Sequence, residues 1–301
     1  MKLSTLTFAV LFVMLAFVFI SCASGATAPE EEWSKTFGGS DYDRGFSVQQ
    51  TSDGGYIIAG LTSSFGAGRD DVYLIKTYEN GNEEWSKTFG GSDYDRGFSV
   101  QQTSDGGYII AGLTSSFGAG GSDFYLIKTD KNGNEEWSKT FGGSGSDAGT
   151  SVQQTSDGGY IIGGHTNSFG VDEYDHDFYL IKTDKKGKVI GSKTFVGGPY
   201  QDKGNSVQQT SDGGYIICGF KSSVSPRHDV AVWLIKVGEE LEPASEIPTG
   251  EEEKETPTPT ETKTPSDTEP SGDQKETPGF EAMFAITGLL AVTYLIRRKD
   301  K

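Results

Sequence analysis

Four aspartates recur along the middle of the chain, and carboxylates are side chains that bind hard cations and transfer protons in proteins. Each is followed two residues later by a glycine. The four are Asp43, Asp95, Asp147 and Asp202. If the surrounding repeats place them at one mouth of a channel, they predict a cation or ligand site, with calcium as the candidate ion. Alternatively, they predict the acid–base groups of a hydrolase or lyase.

A structural role explains the same four aspartates. An aspartate in a turn accepts hydrogen bonds from nearby backbone N–H groups, and the following glycine supplies an unusual backbone angle. The first two copies read "DYDRG", which resembles an oxygen-rich calcium loop, but the third and fourth copies lack the first aspartate of this motif. We therefore favour the structural interpretation.

A second group of polar residues lies in the loop "HTNSFGVDEYDHDF", His165–Phe178. Its metal-ligand candidates are Asp172, Asp175, His176 and Asp177. Histidine and carboxylates together can bind a metal ion. The spacing matches no specific site, however, so we predict an acidic loop without a metal.

Catalytic motifs are missing from the sequence. It contains no nucleophile–base pair, HExxH, GxSxG or phosphate-binding loop. We predict that the protein is not an enzyme and needs no cofactor.

Internal repeats organise the residues that carry these aspartates. The copies start at Trp33, Trp85, Trp137 and Gly191, with a period of about 52 residues. Each contains the strand candidates "SVQQT", "YIIAGLT", "VYLIK" and "WSKTF", or close variants. Asp-Gly-Gly and Asn-Gly turns separate them. The pattern predicts an all-β fold with four strands in each repeat.

Four strands at this period are typical of a β-propeller blade, so we predict a four-bladed β-propeller over residues 29–237. The strand Trp33–Phe37 has no blade before it, and the last blade, which ends with Ala231–Val237, has no fourth strand after it. We predict that Trp33–Phe37 closes the ring as the outer strand of the last blade. An open ring, or two chains that complete a larger one, is the alternative.

The repeat itself resembles a known family. "WSKTFGGSGSDAGTSVQQTSDGGYIIGGHTNSFG", followed by "DFYLIKT", is similar to the SBBP-type β-propeller repeat of prokaryotic surface and secreted proteins. The resemblance covers all four copies. It implies a propeller and implies little about activity, because fold does not determine function.

Composition and the N-terminus indicate export. The chain has 301 residues and a formal net charge of −17, which argues against a nucleic-acid partner. Two cysteines exclude a disulfide framework. Residues 1–28 have a lysine, an apolar run and then small residues, and therefore predict a signal peptide. Lipidation at Cys22 and a retained membrane anchor are the alternatives.

The C-terminal sequence predicts a stalk followed by an anchor. Residues 238–277 are rich in Thr, Pro and Glu and predict a disordered stalk, with O-glycosylation favoured. Residues 282–296 form a short apolar span, followed by the basic residues Arg297, Arg298 and Lys299. Together with Pro278, Gly279 and Phe280, residues 278–301 resemble the archaeal PGF-CTERM sorting signal. The resemblance implies recognition by an archaeosortase, removal of the span, and a lipid anchor.

These features together predict an exported, C-terminally anchored archaeal cell-surface protein. Its propeller would have a non-catalytic binding or structural role, with an envelope component or a glycan as partner and the S-layer as a candidate location. The alternative is an extracellular hydrolase or lyase that uses the Asp-lined channel mouth.

Overall fold

Four antiparallel β-sheets make up the described part of the chain, which in this computed structural model comprises residues 29–170, 175–198, 200–222 and 230–241. Sheet 1 contains β1 (Asp43–Gln50), β2 (Tyr56–Thr62), β3 (Asp71–Thr77) and β4 (Glu83–Phe89). Sheet 2 contains β5 (Asp95–Gln102), β6 (Tyr108–Thr114), β7 (Asp123–Thr129) and β8 (Glu135–Phe141). Sheet 3 contains β9 (Asp147–Gln154), β10 (Tyr160–Thr166), β11 (Asp177–Thr183) and β12 (Val189–Phe195). Sheet 4 contains β13 (Lys203–Gln209), β14 (Tyr215–Ser222) and β15 (Val230–Val237).

The strands are paired in chain order within every sheet, and the turns explain why. In the first "SDGG" turn, the Thr51 N–H donates to the Gly55 carbonyl at 2.9 Å. Gly54 has a φ of +89°, a left-handed angle that glycine adopts without steric cost. The Asp53 carboxylate accepts the Gly55 N–H at 3.1 Å and fixes the turn. The all-β prediction and the four-strand repeat are confirmed for sheets 1–3.

Adjacent sheets pack face to face. We call the face of each sheet that points to the preceding sheet its front face, and the opposite one its back face. The back face of sheet 1 presents Ile57, Ala59, Val72, Leu74 and Phe89 to the front face of sheet 2, which presents Val100, Tyr108, Ile110, Tyr125 and Ile127. Sheets 2 and 3, and sheets 3 and 4, repeat this arrangement. The central strands are apolar on both faces because both faces are covered.

Polar contacts between the first strands accompany this apolar packing. The Gln49 side-chain oxygen accepts the backbone N–H of Gln102 at 2.6 Å, and the Ser47 hydroxyl accepts the N–H of Val100 at 3.2 Å. Equivalent bonds join sheets 2 and 3 and sheets 3 and 4. Each interface therefore combines an apolar core with the same polar contacts between the first strands of its two sheets.

The predicted closure of the ring by Trp33–Phe37 is wrong for the single chain. Sheet 4 has three strands, and residues 33–37 form no strand. The Trp33 ring lies on Tyr56 of sheet 1, with ring centroids 5.8 Å apart, and covers Gly81, but no described strand pairs with the outer edge of β15. An aromatic ring and a bare glycine on sheet 1 form the site for the indole, whereas that edge of sheet 4 stays unpaired within the described part of the chain.

The predicted terminal segments lie mostly outside the described residues. These are the signal peptide 1–28, the stalk beyond residue 241, the span 282–296 and the sorting signal 278–301. Within the described ranges, no helix has the length and apolar character needed to cross a membrane.

Buried lysines near the ends of the third strands are a feature that sequence reasoning missed. The Lys128 ammonium donates to the Thr129 carbonyl at 2.8 Å and lies 2.9 Å from the Glu136 carboxylate and 3.1 Å from the Asp105 carboxylate. Lys76 and Lys182 make the corresponding contacts to Asp53 and Asp157. Each lysine therefore ties a third strand to the "SDGG" turn of its own sheet.

We expect Lys128→Met to lower the free energy of unfolding by about 1–2 kcal/mol. The alkyl volume is kept, but a buried charge-assisted hydrogen bond to a carbonyl is lost, while both carboxylates remain partly hydrated. Lys131→Met is the control, because Lys131 is exposed in the turn that follows the same strand. In urea unfolding, the control should lose much less free energy of unfolding than Lys128→Met. Equal losses would contradict the role of burial.

Candidate functional site

The four repeated aspartates lie at or next to the start of the first strand of each sheet. Asp147 is fully buried. Its carboxylate accepts the Gly143 N–H at 3.0 Å, the Ser168 hydroxyl at 2.6 Å and the Thr166 hydroxyl. These partners come from the loop before β9 and from the end of β10 and the loop after it. The carboxylate therefore joins two loops of its own sheet.

The other three aspartates repeat this geometry with small changes. Asp95 accepts the Gly91 N–H at 2.8 Å and the Ser116 hydroxyl at 2.7 Å, and it is fully buried. The carboxylate of Asp43 has the corresponding partners Gly39, Ser64 and Thr62. Asp202 accepts two backbone N–H groups, from Gly197 at 2.7 Å and from Ser222 at 3.0 Å. In all four, the carboxylate accepts hydrogen bonds from the backbone N–H groups of nearby loops, which is the geometry that the structural interpretation predicts.

A second set of aspartates, at the start of the third strands, lies beside the first set. Asp71 is buried and accepts the N–H groups of Ala67 and Gly68, both at 3.0 Å. A methyl group at Gly90 would meet Asp71 and Asp95 together, so the two carboxylates flank this glycine from adjacent sheets. The repeated "DVYLIK" pattern shows that Asp71 recurs in the other repeats. It does not show that Asp95 of the next sheet lies beside Asp71.

Burial changes the protonation of this second set. Desolvation, opposed by two backbone hydrogen bonds and reinforced by the charge of Asp95, raises the pKa of Asp71 to about 6. Desolvation likewise raises the pKa of Asp123 to about 7, with Asp147 adding repulsion. Burial, with a smaller contribution from an aspartate of the neighbouring sheet, thus brings the pKa of both carboxyl groups close to neutral pH.

The two histidines of the predicted loop His165–Phe178 contact each other, although His165 lies in β10 and only His176 lies in the loop. The rings of His165 and His176 meet edge to face, with centroids 5.0 Å apart. Desolvation, together with the nearby charge of Lys203, lowers the pKa of His165 to about 3 and lowers that of His176. Asp177 begins β11, and Asp172 lies outside the described residues. Among the residues that the structure describes, no three His, Cys, Asp or Glu side chains are grouped to hold a metal ion.

His165 gives a pH-dependent prediction, because it occupies the position that Leu61 and Leu113 hold in sheets 1 and 2. The pKa of His165 is depressed in the folded protein, so the native state favours the neutral form of this histidine. The stability that depends on this neutrality is present above the unfolded pKa of about 6.5 and is lost as pH falls toward 3. We expect His165→Leu to stabilise the fold, and its advantage over the native chain to grow by roughly 2 kcal/mol between pH 7 and pH 5.

Urea unfolding at the two pH values measures this advantage. Leu113→Met is the control, because it changes an equivalent position without a titrating group. An advantage of His165→Leu that stays constant from pH 7 to pH 5 would contradict the burial of a neutral histidine.

Comparison with known proteins bears on the C-terminal signal. The PGF-CTERM motif matches residues 277–299, which include Pro278, Gly279, Phe280 and the basic residues Arg297, Arg298 and Lys299. No curated protein matches the chain. The resemblance of the repeats to SBBP-type units stays a prediction. The matched motif is an archaeal-type C-terminal sorting signal, so this chain is an exported protein that is anchored at the cell surface through its C-terminus.

Proposed function

We propose that the four sheets form a propeller-type scaffold with a non-catalytic binding or structural role in the archaeal cell envelope. The observation that supports this proposal is the use of the repeated aspartates. Asp95 and Asp147 direct buried carboxylates to the N–H and hydroxyl groups of their own loops. A catalytic acid or base must instead reach a substrate within hydrogen-bond distance. The repeated carboxylates thus stabilise the loops, and the scaffold acts through its surface.

The partner class in this proposal is a glycan or another envelope component, with the S-layer as the location. The test uses purified full-length protein on a glycan array and on isolated archaeal envelopes. We expect saturable binding to one of them without release of reducing sugar. A blank result on both would exclude the binding role. Sugar release that Asp95→Asn abolishes, with the fold intact by circular dichroism, would instead establish the hydrolase or lyase alternative.

We also propose that an archaeosortase processes the chain at Pro278–Phe280 and that a lipid replaces the span. The intact mass of the native membrane form should lack the segment 282–296 and carry a lipid. Replacement of Pro278, Gly279 and Phe280 by alanine should leave the C-terminal segment attached. The matched control is replacement of Thr258, Pro259 and Thr260 of the stalk by alanine, which should be processed normally. Normal processing of the first variant would exclude the proposal.

A further inference from the structure

We propose that the two end faces of the array dock onto each other between two copies of the chain. In this assembly, the back face of sheet 4 of one copy receives the front face of sheet 1 of the second copy. The same contact, made twice, closes a ring of eight sheets. Four observations on the end faces carry the proposal.

The front face of sheet 1 is an uncovered version of an internal interface. Val48 is 66% exposed, whereas the equivalent residues Val100, Val152 and Val207 are 6%, 7% and 4% exposed. Ile58 is half-buried, although its counterparts in the other sheets are fully covered. The sequence of this face is the same as that of the internal faces, so it has the shape and chemistry of a surface that packs against a sheet.

The back face of sheet 4 is uncovered in the same way. Val232 is 82% exposed and Leu234 is 64% exposed, while the equivalent Val72 and Leu74 of sheet 1 are 1% and 0% exposed. Exposed contiguous apolar surface on a folded domain marks an interaction site. The two uncovered faces are of opposite kind, a front and a back, and are therefore complementary in the way that each internal pair is.

The missing fourth strand of sheet 4 points to the same partner. Inside the array, Trp85 of β4 lies on Tyr108 of the next sheet at 5.8 Å and covers Gly133. Trp33 makes the same pair of contacts on the front face of sheet 1, with Tyr56 and Gly81. The segment 33–37 thus lies where the fourth strand of a preceding sheet belongs, and sheet 4 is the sheet that lacks one. In the proposed pair, segment 33–37 of one copy would lie along the open edge of β15 of the other copy.

The polar contacts continue across the same seam. In the internal interfaces, a serine hydroxyl and a glutamine side-chain oxygen on one first strand accept two backbone N–H groups from the next. On sheet 4, Ser206 and Gln208 hold the acceptor positions. On sheet 1, the N–H groups of Val48 and Gln50 hold the donor positions. Docking of these two faces would form the same pair of bonds.

A second copy is the occupant because the two faces of one chain do not meet. A cleft of about 480 Å³, lined by Trp33, Phe37, Val48 and Ile58 among others, stays open on sheet 1. A front face joined to a back face is a heterologous contact, which either closes into a ring or propagates. Eight sheets lie within the range of known propellers, and closure removes both free edges.

A disulfide across the seam tests the proposal directly. At the interface of sheets 3 and 4, a Cβ atom at Gly163 would lie 3.2 Å from the Cβ atom of Val207. Cys218, a free cysteine on the back face of sheet 4, and Val48 occupy these same two positions at the seam. Their Cβ separation would be close to that of a disulfide. Full-length Val48→Cys protein, purified from membranes and oxidised mildly, should therefore run as a covalent pair on a non-reducing gel.

Two further variants separate the outcomes. Adding Cys218→Ser to Val48→Cys should abolish the covalent pair. Native mass spectrometry should give two chains for the native protein and one chain for Val232→Asp, which changes an exposed side chain and leaves each sheet intact. An internal disulfide in a single chain, no disulfide, or a native mass of one chain would overturn the proposal. A ladder of linked species would overturn closure at two copies.

Discussion

Gly112→Ala should lower the free energy of unfolding by about 3–5 kcal/mol, a loss as large as that of a deleted core side chain. Gly112 lies in β6, opposite the irregularity between Gly97 and Ser99 of β5. A methyl group there would overlap the carbonyl oxygen of Arg96. The clash is with backbone in the middle of a paired strand, so neither a rotamer change nor a small side-chain shift relieves it.

Gly106→Ala is the matched control for this prediction. Gly106 has a φ of +86°, and a methyl group there would meet nothing within 4 Å. This change should cost only about 1 kcal/mol, which is the price of a left-handed angle at a residue with a side chain. Urea unfolding followed by tryptophan fluorescence compares the two variants. Similar small losses for both would show that β5 moves to accommodate the methyl group at residue 112.

The strand order was predictable because each repeat carries its own turns and its own apolar runs. "SDGG" and "NGN" fix hairpins locally, and "YII" and "YLI" indicate strands that are buried on both faces. The pairing of neighbours within a sheet follows from these short-range signals. This is why sheets 1–3 agree with the prediction strand by strand.

The closure and the interior charges were not predictable from the repeat. The sequence shows that Trp33–Phe37 is a fourth-strand segment, but it does not show whether sheet 4 of the same chain can reach it. That depends on the angle between adjacent sheets, which accumulates over three interfaces. The buried Lys128 and the neighbouring pair Asp71 and Asp95 depend on contacts across turns and sheets, which a period of about 52 residues does not encode.

The candidate site was likewise predictable from the sequence only in part. The prediction that each repeated aspartate accepts bonds from its own turn needs only local sequence, and Asp147 has this geometry. The hydroxyl groups of Thr166 and Ser168 come from about 20 residues further along the chain, beyond the reach of turn rules. Sequence reasoning could therefore propose a role for the aspartate without finding the partners that bury it.

Asp147→Ala should lower the free energy of unfolding by about 3 kcal/mol, because it removes the acceptor for one N–H and two hydroxyl groups in the interior. With all variants placed in the Val232→Asp background, which we expect to be a single chain, Asp43→Ala is a control with the same three kinds of partner, Gly39, Ser64 and Thr62, on the uncovered side of sheet 1. Water can replace the carboxylate there, so the loss should be under about 1 kcal/mol. Asp147→Asn should fall between the native chain and Asp147→Ala, since it keeps one carbonyl acceptor. Urea unfolding of the three variants measures the order.

The same variants separate structure from function at the repeated aspartates. If the carboxylates act only within their loops, ligand binding by the folded fraction should be unchanged in Asp147→Asn, while its unfolding midpoint falls. A variant as stable as the native chain that has lost binding to envelopes or glycans would place Asp147 in a ligand site. Because Asp147 is fully buried at the start of β9, we expect the first result. A carboxylate with three internal donors then contributes to binding only by holding the loops that a partner contacts.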